Sequence, residues 1–266
     1  MSSKPPLMSS KNGAPAPPPS SAVRTSVDEL ARSLRSQMTP VDSHFGYFLI
    51  HPLPEDEIKA WFEDPVAALP PAVYALLTQV GVVLAPYLER ASGQNGPAVV
   101  YEKPVEAKLL LSHRIETADF ATLFFTAKDE QVADYHYFLF EQIAALVSAR
   151  LPLTFEAHWH RLLRDELSAE VHGEVDEESW RLKQSLLRRS MSARKDGKLF
   201  LGYARQSFQD TMTLYLHGLC CDIDVEAGPR QLPSRYMRKR LEALKEHFPP
   251  PEGHAVFPED VAHPRK

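Results

Sequence analysis

The chain opens its apolar patterning at Ser26, where Ser26-Val-Asp-Glu29 has the spacing of a capping box and Val27, Leu30, Ala31, Leu34 and Met38 recur at helical intervals. This predicts a short amphipathic helix over 26–38. A helix that short is marginal alone in water, so Val27, Leu30, Leu34 and Met38 are expected to dock, either in a protein partner's groove or on the chain's own surface. Phe45–Ile50 reads as a strand or buried extended segment, and Pro54–Phe62 as a helix with acids in its first turn.

Ala72–Ala85, between Pro71 and Pro86, carries no charge and is apolar at nearly every position. A helix of that length rises only about 21 Å, short of the roughly 30 Å of a bilayer's hydrocarbon. The pattern is read as a buried central helix, kinked at Pro86 and continuing through Tyr87–Arg90. Beyond a loop at 92–97, the runs 98–103, 107–114 and 119–126 predict a small antiparallel meander.

From Asp129 the period becomes helical. Val132, Tyr135, His136, Leu139, Ile143 and Leu146 form one stripe, and further stripes follow through Phe155, Trp159 and Leu162, through Trp180, Leu187 and Met191, through Phe208, Met212 and Tyr215, and through Met237, Leu241 and Leu244. The expected class is therefore α+β and predominantly α-helical: a central helix with a small antiparallel sheet, then a helical bundle, between disordered Pro-rich termini. The expected divisions are a tail at 1–25, the tethered helix at 26–38, an α+β half at 39–127, a bundle at 128–248 and a second tail at 249–266. The tails, with Pro15-Ala-Pro-Pro-Pro19 and Pro249-Pro-Pro251, lack the apolar content to offset the entropy of ordering.

Composition narrows the classes. The 266 residues are 44% hydrophobic and 24% charged with a net charge of −5, which fits a globular protein and argues against general binding to nucleic acid or anionic membrane. Two adjacent cysteines, Cys220 and Cys221, make no disulfide framework, and the N-terminus lacks the order of a secretory signal, so a cytoplasmic location is expected. No membrane span is expected. Phosphate-cradling glycine loops, G-x-S-x-G, H-E-x-x-H and C-x-x-C are all absent from the sequence, and no cofactor is implied by motif.

Three groups of residues carry chemistry. Glu156 and His160, four apart, share a helix face that His136 can meet from the preceding helix, which offers a metal or acid–base site. His217 and Cys221 also share a face, a possible soft-metal or nucleophilic corner, although two small hydrophobes at a helix end are the simpler reading. Arg235, Arg238 and Lys239 lie off the apolar stripe of the last helix as an anion-binding candidate, without the stacking aromatics that nucleic-acid binders usually add. The acids of 165–178 and bases of 181–198 are explained by a helix dipole. A non-catalytic interaction or regulatory protein is the favoured function, with a metal-dependent or acid–base enzyme using His136, Glu156 and His160 as the alternative, and an accessory nucleic-acid or anion binder after it.

Overall fold

The computed structural model describes residues 24–90, 96–188, 197–221 and 230–261, so the tail expected at 1–25 falls almost wholly outside the described residues. The first half begins with β1 (Arg24–Ser26), α1 (Val27–Leu34), β2 (Thr39–Pro40) and β3 (Phe45–Leu49). A π-helical turn over Lys59–Glu63 leads into α2 (Asp64–Ala67) and α3 (Pro71–Tyr74). There follow β4 (Gln79–Ala85), β5 (Tyr87–Glu89), β6 (Ala98–Val100), β7 (Leu109–Leu110), β8 (Ser112–Glu116) and β9 (Phe120–Thr126). The second half is helical: α4 (Val132–Ser148), α5 (Leu153–Ser168), α6 (Glu177–Leu187), α7 (Lys198–Cys220), α8 (Ser234–His247) and α9 (Pro258–Val261).

The expected central helix is not there. Only Pro71–Tyr74 is helical, and the rest of the apolar run is β4, the middle strand of a five-stranded sheet ordered β2-β3-β4-β9-β8. Strand β4 runs parallel to both neighbours, with Val83 opposite Phe48 on β3 and Phe124 on β9. Nor does the chain continue as a helix past Pro86, since Tyr87–Glu89 is a strand. The expected small antiparallel meander divides between two sheets. Strand β9 joins the five-stranded sheet in parallel with β4, while β6 belongs to a separate four-stranded antiparallel sheet ordered β1-β6-β5-β7.

The physical reason is that the central sheet is covered on both faces. Val80, Val82 and Leu84 of β4 point into the main core with Leu123 and Phe125, whereas Val83 and Ala85 point the other way with Phe124. A strand buried on both sides loses its polar alternation and reads as one continuous apolar run. The second face is closed by α1, whose Val27, Ala31 and Leu34 are buried there while Leu30 and Met38 pack at its edge. The apolar stripe, expected to dock either in a partner's groove or on the chain's own surface, is thus seated on the chain's own sheet. Gly81 permits the close approach: a Cβ there would lie 2.7 Å from Met38 Cε and 2.9 Å from Phe120 Cζ.

On the main face, α4 and α7 pack along one another, and Phe140, Trp159, Phe208, Tyr215 and Phe248 fill the space between sheet and helices. Within this bundle lies a buried ionic network. Arg240 donates to Glu166 Oε2 at 2.6 Å, to Glu174 Oε2 at 2.7 Å and to Ser207 Oγ at 2.8 Å, and Lys183 donates to Glu174 Oε1 at 3.0 Å. Tyr203 donates to the same carboxylate. Burial raises the Glu174 carboxyl, but Arg240 and Lys183, with the Tyr203 hydroxyl, outweigh it and hold the group at about 2. Gly173, at φ +80°, brings Glu174 to this point because any Cβ would strike the Gln231 carbonyl. No single helix among the described residues is long and apolar enough to cross a membrane.

Candidate functional site

The site forms where α4, the end of α7 and the π-helical turn meet. In that turn the Asp64 N–H bonds to the Lys59 carbonyl. The next donor in the same i to i+5 series would be Pro65, which has no N–H. The Ala60 carbonyl is left available to a side chain, and it accepts from His136 Nε2 at 2.8 Å. A carbonyl can only accept, so Nε2 carries a proton, and Nδ1 is the ring nitrogen turned to a ligand, with a lone pair when the ring is neutral and a second N–H when it is charged. Nδ1 faces the end of α7, 3.2 Å from Cys221 Sγ and 3.9 Å from Cys220 Sγ.

His136 is 6% exposed and both cysteines are half-buried free thiols. Their ligand atoms all lie within 4.8 Å of one another. Sharing of one proton between adjacent sulfurs splits the two thiols: the Cys220 S–H bond pulls Cys221 well down, burial works against that, and His136 and His217 reinforce it. The same bond, with burial, pushes Cys220 up. The carboxyl end of α7 opposes a thiolate at Cys221, so the anion depends on these side chains rather than on the helix dipole.

Two buried polar atoms near the thiols have no hydrogen-bond partner among the described residues, His217 Nε2 and Tyr135 Oη. His217 sits between the rings of Tyr137 and Phe140 at 6.0 and 6.1 Å, and Tyr135 lies against Trp61 at 4.7 Å. Leaving such groups unpaired is costly in a native core, typically about 1–3 kcal/mol each, and marks a place built around polar chemistry.

The residues singled out in the sequence are placed differently from one another. His136 turns to Cys220 and Cys221, while Glu156 and His160, 3.8 Å apart on α5, line a separate cavity. His217 and Cys221 do lie at the same corner, and the ligand-like partner brought to Cys221 is the imidazole of α4. Arg235 lies over the Tyr236 ring, and Arg238 pairs with Glu242 at 2.9 Å and with Glu259. Lys239 is exposed, and Arg240 is buried in the ionic network, so these cations do not converge on one point. Ala60 was not foreseen as a contributor, and its one local signal is the proline five residues later.

Comparison with family models, curated proteins and solved structures yields no match to this chain.

Proposed function

We propose that the protein binds a thiophilic d10 metal ion, Zn2+ or Cu+, through His136 Nδ1 and the sulfurs of Cys220 and Cys221, and that it acts as a non-catalytic, metal-responsive regulatory protein of the cytoplasm. The observation that carries this reading is the convergence of one imidazole nitrogen and two sulfurs, with the other ring nitrogen tied to the Ala60 carbonyl. A soft N,S,S set suits Zn2+ and Cu+, and an outer carbonyl on the far ring nitrogen is the usual means of orienting a ligating histidine. A covalent thiol nucleophile needs one sulfur, and here two converge.

The regulatory part rests on what the ligands join. His136 is on α4, the cysteines close α7, and the orienting carbonyl comes from a turn 76 residues before His136. An ion held there would clamp three segments of the main core to one another, coupling metal supply to the order of that corner. Free adjacent thiols suit a reducing compartment. The test is metal retention by the reduced full chain after loading with Zn2+ and dialysis. About one equivalent per chain is expected, lost in the Cys220→Ser/Cys221→Ser variant; equal retention by that variant would overturn the assignment.

A further inference from the structure

A second site lies away from the thiols, between α5 and α7. It is a cavity of about 300 Å³, at the lower end of small-ligand pockets and the size for a single amino acid rather than a nucleotide. Trp159 and Phe208, both almost wholly buried, line it as an aromatic floor, held edge to face at 5.7 Å and fixed by the Trp159 Nε1–H bond to the Ala204 carbonyl. Leu201, exposed on α7, adds an apolar wall.

The polar groups are of opposite sign. Glu156 and His160 project from α5, and Arg205 stands on α7. Arg205 is exposed and makes no ion pair among the described residues, while its charge is felt at Arg114, whose own counter-ion is Glu116. Arg150 is likewise matched by Glu116. Among the described residues, one guanidinium at the cavity therefore has its charge unmatched, with a carboxylate within the same lining.

We infer that this cavity binds a free zwitterionic α-amino acid with an apolar side chain: its carboxylate on Arg205, its ammonium on Glu156, and its side chain against Trp159 and Phe208. Arg is suited to a planar carboxylate, and the aromatic floor supplies apolar burial without fixing one side-chain shape. The role of His160 is to hold the Glu156 carboxylate toward the cavity, their Nε2 and Oε1 being 3.8 Å apart.

Calorimetric titration of the full chain with L-leucine and L-phenylalanine tests this, with 4-methylpentanoate and 3-methylbutylamine as probes that each lack one charge. The zwitterions are expected to bind, and removal of either charge to weaken binding by about tenfold or more. Arg205→Gln and Glu156→Gln are expected to cost a similar factor, and thermal unfolding checks that each variant is folded. The indole N–H resonance of Trp159 gives a second readout, shifting with ligand in the parent chain. Absence of heat and of any Trp159 shift at millimolar amino acid would overturn the inference. Equal binding of the singly charged probes, or binding unaltered in both variants, would do so as well.

Discussion

Arg240 and Glu174 form a fully buried ion pair, Nη1 to Oε2 at 2.7 Å, although 66 residues separate them. The pair ties α8 to the segment between α5 and α6, and Glu166 completes the neutralisation from α5. Charges this deep are tolerated because every partner is present, and removing one leaves the others uncompensated.

Arg240→Met is accordingly expected to destabilise the fold by about 3–5 kcal/mol in chemical denaturation, since it takes the cation from buried Glu166 and leaves Glu174 with Lys183 and Tyr203 alone. Arg240→Lys is expected to be a poor rescue, because an ammonium cannot reproduce the forked contacts to Glu166 and Glu174. A stability unchanged in Arg240→Met would contradict the role given to the network.

The same pair sets an acid limb. With Glu174 held at about 2 in the folded state against an ordinary 4.5, the unfolded chain takes up more protons between those values. The stabilisation is complete above pH 4.5 and is lost as pH falls toward 2. Denaturation midpoints measured down this range should decline in the parent, and Glu174→Gln should remove that part of the decline.

Asp210 behaves in the opposite sense. Burial, aided by the charges of Asp176 and Glu174, raises its carboxyl to about 6 against the hydrogen bonds from Ser179 and Gln206, and its Oδ2 is buried without a partner among the described residues. Here the folded state holds the extra proton, so stability falls as pH rises from 3.8 through 6, and the penalty is full above that. Asp210→Asn should raise stability by about 1–3 kcal/mol at pH 8 and by little at pH 4. A stabilisation that is equal at both pH values would show that the ionised carboxylate is not its cause.

Helix α1 gives a mechanical prediction. Val27 and Leu34 are buried against Val83 and Phe124, and Arg35 pairs with Asp119. Leu34→Asp should free the segment and expose Arg32 and Arg35 to trypsin, while tryptophan fluorescence of the main core stays native. Cleavage no faster than in the parent would mean that the helix is held by other contacts.

How far the sequence revealed this molecule depends on which surfaces are covered. The helical second half was legible because one polar face survives on each helix: Phe155, Trp159, Leu162 and Leu163 are all buried on α5, as their spacing requires. Val82 and Val83 show where the pattern fails, since these adjacent residues enter different cores and erase the alternation that would have marked a strand. Glu166, Glu174, Lys183 and Arg240 read as parts of charged surfaces and are instead interior, because their partners are supplied by distant segments. At the thiol corner, helical spacing put Cys221 and His217 on one face, with small hydrophobes at a helix end as the simpler reading, whereas Cys221 lies just past the end of α7 in extended backbone. The pairing of Cys221 with His136 spans 85 residues and was not legible, and neither was the carbonyl that Pro65 leaves free.

The most direct test of the metal assignment is X-ray absorption at the zinc edge of the zinc-loaded full chain. The geometry predicts two sulfur neighbours at about 2.3 Å and at least one nitrogen at about 2.0 Å, with the sulfur shell lost in Cys220→Ser/Cys221→Ser. A first shell of nitrogen and oxygen alone in the parent protein would contradict it.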